Sequence, residues 1–188
     1  MTFVLGVDEA GRGPLAGPVA VGAVKAPHDF DFLGTFPGLN DSKKLSEKKR
    51  EELFELLLVT KEISFCVKAV NAETIDRVGI AKAVQSAVFA GVRELAREPA
   101  SVRVFLDGLL SAPEEYEQET VVRGDSLIPA IMLASVAAKV TRDRLMVRLS
   151  EEFPAYGFDR HKGYGTKAHY KALTLYGPCE LHRKSFLH

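Results

Sequence analysis

The stretch Asp8-Glu9-Ala10-Gly11-Arg12-Gly13-Pro14 constrains this chain more than any other. It sets two adjacent carboxylates directly behind the apolar run Phe3–Val7 and follows them with a glycine turn. Unpaired charge is costly to bury, so a strand predicted over Phe3–Asp8 must deliver these acids to an edge, where water or a cation meets them. Neighbours in a regular strand face opposite sides, so both acids serve one site only if the strand ends there. The glycines allow such an ending. The plain alternative is that both acids point into water.

Gly11-Arg12-Gly13-Pro14-Leu15-Ala16 also satisfies the dinucleotide fingerprint G-x-G-x-x-G/A. That fingerprint needs a following helix whose N-terminus takes the pyrophosphate. Pro14, Gly17 and Pro18 oppose a helix, and the next run reads as a strand over Pro18–Val24. No phosphate-loop motif G-x-x-x-x-G-K-[ST] occurs, so a nucleotide-cofactor enzyme is disfavoured.

Further along, Pro27–Asp41 reads as a loop, and Ser46 as the N-cap of a charged helix ending near Val59. Ile63–Val70 alternates as a strand. Apolar residues from Ile80 to Leu95 recur at helical spacing within Gly79–Arg97. Val102–Asp107 is a short strand ending in an acid, and Thr120–Arg123 a shorter one. The longest helix is expected to open at Asp125 or Ser126 and to run to about Arg148, with Pro129 interrupting it early. Helical pieces follow, from about residue 150. Interleaved strands and helices predict one α/β domain over residues 1–188, with a mixed sheet and a helical C-terminal region.

Asp107-Gly108 taken alone reads as a turn, and Asp125 alone as an N-cap. Together with Asp8 and Glu9 they make a different case, because strand ends of one sheet can converge. Four carboxylates then form an all-oxygen set suited to Mg2+ or Mn2+. Two such ions ~4 Å apart can activate a water and stabilise the leaving oxygen of a phosphodiester.

At this point the residues resemble a known family, bacterial ribonuclease HII. The resemblance rests on Asp8 through Val19, on Asp41-Ser42-Lys43-Lys44-Leu45, on Leu106-Asp107-Gly108 and on Gly124-Asp125. It continues through Ala134–Asp143, His161-Lys162-Gly163-Tyr164-Gly165-Thr166 and His182-Arg183-Lys184-Ser185-Phe186, in the family's order and over nearly the whole chain. Arg12 in place of lysine favours type HII over the sister type HIII. Arg123 stands where many members have lysine.

The resemblance implies a ribonuclease H-like fold, a mixed five-stranded sheet flanked by helices. It implies that Asp8, Glu9, Asp107 and Asp125 are catalytic and bind the metal, Mn2+ or Mg2+. The implied reaction is cleavage of RNA in RNA/DNA hybrids and on the 5′ side of ribonucleotides embedded in duplex DNA. It would leave 3′-hydroxyl and 5′-phosphate ends and serve ribonucleotide removal. Gly11, Arg12 and Gly13 would read the 2′-hydroxyl at the junction, and Tyr164 would stack on the next deoxyribose. The 2′-hydroxyl is what distinguishes RNA from DNA at a site, and a backbone without Cβ can approach it.

Lys43, Lys44, Lys139, Arg142 and Lys162 are the candidates for phosphate contact. The 188-residue chain carries 25 basic and 25 acidic residues, yet residues 139–188 hold 10 basic against 5 acidic, with four of the five histidines. That asymmetry suits a polyanion held beside an acidic site. Asp143 is expected to partner a neighbouring arginine. His161, His169 and His182 are expected to be structural, since their spacing fits no helical pair of metal ligands. Cys66 and Cys179 match neither a zinc set nor a disulfide framework, which points to a reducing compartment, the cytoplasm. No membrane segment, secretory leader or clamp-recruiting tail after Phe186 is expected. A monomer is.

Overall fold

The computed structural model describes residues 2–187. Two strands open the fold, β1 (Phe3–Ala10) and β2 (Val19–Pro27), followed by the short helix α1 (Phe32–Thr35) and then α2 (Glu47–Val59). Strand β3 (Ser64–Val70) leads into α3 (Ala72–Val78) and α4 (Ile80–Leu95), and then β4 (Val102–Asp107) and β5 (Glu117–Val121). The long helix α5 (Pro129–Glu152), the single-turn α6 (Phe158–His161) and α7 (Lys167–Tyr176) complete it.

The five strands form one sheet in the order β3-β2-β1-β4-β5. β1 pairs antiparallel with β2 and parallel with β4, so the sheet is mixed, as expected. One face carries Leu5, Val7, Val21 and Val104 against α4 residues Val84, Val88 and Val92. The other carries Val24 and Ala26 against Leu53 and Leu57 of α2 and Leu133 and Val136 of α5. Among the described residues no helix is long and apolar enough to cross a membrane.

The second face depends on missing side chains. A Cβ on Gly6 would lie 2.2 Å from the Ala130 carbonyl carbon, and one on Gly22 would lie 2.2 Å from the Ala134 oxygen. The α5 backbone therefore rests directly on β1 and β2. Ala130, Ala134, Ala137 and Ala138 keep the helix slim enough for this approach.

Four elements depart from the sequence expectation, the first being the short helix α1, which falls inside the expected Pro27–Asp41 loop. β5 lies at Glu117–Val121, earlier than Thr120–Arg123, because it is a half-exposed edge strand with no apolar alternation to mark it. Its register follows β4, where Arg103 bridges Glu119 at 2.8 Å and Glu117 at 3.4 Å. Asp125 does not start the long helix: Gly124–Ser126 is a separate 3-10 turn, and α5 begins at Pro129 with Ile128 as its cap residue. α3 was not anticipated, although the Asn71 side chain caps it from the Thr74 N–H at 2.9 Å.

Gly22→Ala is expected to lower unfolding free energy by about 1–3 kcal/mol through overpacking against α5. Gly13→Ala, where a Cβ meets nothing within 4 Å, is the matched control and should leave it unchanged. Urea denaturation measures both. Equal stability of the two variants would contradict direct backbone packing of α5 on the sheet.

Candidate active site

Asp8 lies one residue past the last β1–β4 pair, Val7–Leu106, and Asp107 is the next residue of β4. The two acids are therefore neighbours at the end of adjacent parallel strands. The expected strand ending is only half right. β1 stays paired to β2 through Ala10, but its other flank opens at Asp8 once β4 stops pairing. That open flank lets Asp8 and Glu9 serve one site from opposite faces. Asp125 joins them through the 3-10 turn, its N–H donating to Asp107 Oδ1 at 3.3 Å.

Each carboxylate has a local donor. Asp8 Oδ1 accepts from the Glu9 N–H at 2.7 Å, Glu9 Oε1 lies 3.4 Å from Arg12 Nη1, and Asp125 Oδ2 accepts from Lys43 Nζ at 3.1 Å. Among the described residues no three acids already enclose a common point as a finished metal cage does. Their chemistry nevertheless fits a hard divalent cation: four oxygen donors, negative charge in excess, and a strained ionisation at the deepest member. Burial pushes the Asp8 carboxyl up to about 8, with Glu9 and Asp107 adding to the rise and Ser135 opposing it. Burial also raises Glu9, against the pull of Arg12. Lys43 loses some charge preference to burial, but Asp125, Asp8 and Asp41 more than restore it.

Lys43 and Lys44 line a cleft of about 330 Å³ with Asp41, Asp107, Arg123 and Asp125. Asp41 was not anticipated at the site. It is buried, accepts from the Lys43 N–H at 2.9 Å and takes a long 3.4 Å bond from the Ser126 hydroxyl. The Ser42 and Ser135 hydroxyls are 2.8 Å apart and tie this loop to α5.

The turn Gly11-Arg12-Gly13 continues directly from Glu9 and is scaffolded by two buried arginines. Arg183 donates from Nη2 to Gly11 O at 2.7 Å, from Nη1 to Arg12 O at 2.9 Å and from Nε to Gly17 O at 3.0 Å. Arg142 donates from Nε to Pro18 O at 2.8 Å and from Nη2 to Ala16 O at 3.3 Å. A planar fork with five N–H groups can hold several carbonyls at once, which an ammonium cannot. Burial, then the neighbouring Arg142, pushes Arg183 down to about 10. Gly11 sits at φ +84°, and a Cβ there would lie 1.9 Å from Arg142 Nε.

Arg142 is thus a correction to the sequence reading. It is buried beneath the turn and holds backbone carbonyls, so it is not presented to a phosphate. Asp143 is also reassigned: its partner is Lys139 at 2.9 Å, with Arg142 Nη1 only at 4.0 Å. Lys162 turns its ammonium back to the Asp159 carbonyl. Tyr164 is presented, with its ring half-exposed and Lys139 Nζ and Arg142 Cζ each 5.8 Å from the ring centre. Arg142 therefore lies between the turn and the tyrosine. Nothing in the sequence alone marks Arg142 and Arg183 as scaffold rather than surface cations.

A family model described as Ribonuclease HII matches residues 5–188. Ribonuclease HII of Burkholderia thailandensis is 47% identical over 184 residues, covering 98% of this chain and 83% of that protein. Among solved structures, a PCNA:RNase HII complex from Archaeoglobus fulgidus matches with a TM-score of 0.79 at 26% identity, covering 97% of this chain and 94% of that one. Bst-RNase HIII in complex with Mn2+ shares the fold at a TM-score of 0.70 and 16% identity, covering 98% of this chain and 67% of that one.

Two outcomes follow from this geometry. Asp8 holds its proton in the folded chain up to about pH 8, whereas an unfolded aspartate ionises near pH 4. The metal-free protein should therefore lose stability as pH rises between those values, and Asp8→Asn should abolish the slope. Cation binding at pH 7 should release close to one proton, read as buffer-dependent heat in calorimetry. A flat melting temperature and no proton release would contradict the buried, protonated Asp8. Separately, Arg183→Lys should loosen the Gly11–Gly17 carbonyls and cut turnover at least ~10-fold with a modest fall in melting temperature. Unchanged turnover would mean the turn holds itself.

Proposed function

The chain belongs to the ribonuclease HII family and is a ribonuclease H enzyme, and from that premise we propose its substrate, its chemistry and the residues that carry them. The substrate is a duplex in which RNA is joined to DNA, down to a single ribonucleotide embedded in DNA. Asp8, Glu9, Asp107 and Asp125 would hold two divalent cations, Mg2+ or Mn2+, a reading that the Mn2+ complex of Bst-RNase HIII, a protein of the same fold, supports. When bound, such cations lower the pKa of a water and neutralise charge on the phosphate and the leaving oxygen.

In the reaction a water oxygen bonds to phosphorus and the P–O3′ bond on the 5′ side of the ribonucleotide breaks. The departing O3′ takes a proton and becomes a 3′-hydroxyl, and the ribonucleotide keeps the 5′-phosphate. The four carboxylates would hold the cations at the strand ends, and bound there the cations would supply charge to position the reacting phosphate. Lys43, beside Asp125 and exposed over most of its length, adds positive charge at the mouth of the cleft. Lys43 and Lys44 make phosphate contacts that set position without reading sequence; Lys139 and Lys162 join them only by leaving Asp143 and the Asp159 carbonyl, which hold them in the free chain.

The observation that carries this reading is adjacency. Asp8 and Glu9 of β1, beside Asp107 at the end of β4, lead through Ala10 into the Gly11–Gly13 turn, and Gly13 faces open space where a Cβ would meet nothing. A backbone so exposed can approach a 2′-hydroxyl, and the exposed Tyr164 ring can stack on the next sugar. Work as a monomer in the cytoplasm, clearing ribonucleotides from DNA, belongs to the same proposal. Cys66 and Cys179, both free, support a reducing compartment.

Asp107→Asn and Tyr164→Ala test the reading side by side on a duplex with one ribonucleotide and on an all-RNA/DNA hybrid. Asp107→Asn should lose cleavage of both by orders of magnitude while duplex binding persists through phosphate contacts. Tyr164→Ala should lose the single-ribonucleotide substrate far more than the hybrid, since ~1 Å of misplacement can cost ~100-fold. Wild-type incision by Tyr164→Ala would remove the tyrosine from junction reading, and near-normal turnover by Asp107→Asn would remove Asp107 from the metal site.

A further inference from the structure

Behind the presented Tyr164 lie two buried imidazoles, His169 and His182, with the half-buried His161 against them. His169 Nδ1 is 2.9 Å from the Tyr164 carbonyl oxygen, His169 Nε2 is 3.0 Å from His182 Nε2, and His182 Nδ1 is 2.9 Å from the Cys179 N–H. These contacts admit one neutral proton arrangement. A carbonyl only accepts, so His169 carries its proton on Nδ1 and leaves Nε2 as an acceptor. His182 must then donate from Nε2, which frees its Nδ1 to accept from Cys179. His161, stacked on His169 with ring centres 4.5 Å apart, is fixed the same way: Nδ1 accepts from Gly163 N–H at 3.2 Å and Nε2 donates to Tyr156 O at 2.8 Å. Burial holds His182 down at about 4 and lowers His169, in keeping with neutral rings.

The relay joins two segments that are remote in sequence. His182 forms an isolated bridge with Ala16, Arg183 N donates to Leu15 O at 2.8 Å, and Gly17 N donates to Leu181 O at 2.8 Å. The His182 segment is therefore zipped to the base of the Gly11–Gly17 turn. At the other end, His169 grips the carbonyl of Tyr164 itself, and Leu15 N donates to Gly163 O at 2.9 Å. The turn and the tyrosine are thus connected by backbone on one side and by the imidazole pair on the other. The Tyr164 carbonyl also accepts from the Thr166 N–H at 2.8 Å, so an apolar pair of similar size would fill the space but take away its second donor, the one that ties it to the His182 segment.

We propose that His169, oriented by His182, is a positioning residue for Tyr164, setting its place relative to the Gly11–Gly13 turn and hence the preference for a single embedded ribonucleotide. The proposal rests on the junction-reading role given to Tyr164 above. Neither histidine touches substrate. Their effect falls on selectivity rather than on hydrolysis, because the four acids stand on other elements.

The test compares His169→Leu, His169→Asn and Tyr164→Ala on the single-ribonucleotide duplex and the all-RNA/DNA hybrid, with Mn2+ or Mg2+ saturating. An asparagine amide can stand in for the Nδ1 donor; leucine cannot. His169→Leu is expected to lower the ratio of kcat/KM for the two substrates at least tenfold, with kcat on the hybrid within about threefold of wild type. His169→Asn should recover most of that ratio, and Tyr164→Ala added to His169→Leu should cost little more. Nitrogen-15 shifts of the wild-type imidazoles should report Nδ1–H at His169 and Nε2–H at His182, whatever the variants' stability. A wild-type ratio in folded His169→Leu, equal losses in the Leu and Asn variants, or the opposite His169 tautomer would overturn the proposal. If Tyr164→Ala alone leaves the ratio unchanged, the junction reading falls and takes the proposal with it; a lowered ratio there beside a normal His169→Leu defeats the relay alone.

Discussion

The contact on which the rest depends is that of α5 lying backbone to backbone on β1 and β2, at Gly6 and Gly22. It fixes the depth of one helix against the sheet, and that helix supplies parts of both halves of the site. Ser135 comes from it to the side of Asp8, and Lys139 and Arg142 come from it to Tyr164 and the glycine turn. A helix held one methyl group farther out would carry these side chains with it. Interiors are close-packed and do not absorb such a shift without cost.

Around that contact the chain separates two problems of charge. At the strand ends, carboxylates are crowded and only locally compensated, and Asp8 answers by holding a proton. Beneath the turn, two buried arginines meet almost no carboxylate and are instead satisfied by backbone carbonyls. Only Arg142 Nη1, among the described residues, is a buried side-chain polar atom with no hydrogen-bond partner, Asp143 lying 4.0 Å away. Buried cations held this way contribute more to geometry than to stability, since desolvation offsets much of what their bonds return. The result is a glycine turn that is permissive in its own conformation and rigid in its setting. α3 contributes here as well: Asp76 accepts from Lys184 N at 2.8 Å and Ser185 N at 3.0 Å, which docks the segment bearing Arg183.

The acids were legible in the sequence because each interrupts an apolar strand or follows a glycine, and a buried strand has no other reason to end on charge. α4 was legible from its spacing, and α2 from Ser46. What escaped was set by tertiary contact alone. β5 is polar on both faces and pairs with β4 along its backbone, with Arg103 bridging Glu117 and Glu119 on the exposed face. Arg142 looks like any basic residue on a helix until Gly11 and the Pro18 carbonyl close over it. Asp41 reads as a loop acid, and it is the contacts Ser42–Ser135, Lys43–Asp125 and Ser126–Asp41 that carry that loop to the sheet end. The histidines were expected to be structural on spacing, but their order of bonding required three segments to meet.

In the proposed function a 2′-hydroxyl would be read and would not be the nucleophile: water would attack at the phosphate on the ribonucleotide's 5′ side, beside the four carboxylates. End mapping of a duplex carrying one ribonucleotide, cut by the wild-type chain in Mg2+ or Mn2+ and in chelator, measures this directly. The account expects a single cut 5′ to the ribonucleotide, with 3′-hydroxyl and 5′-phosphate ends, and none in chelator. A cut on its 3′ side with a 2′,3′-cyclic phosphate, persisting in chelator, would contradict it.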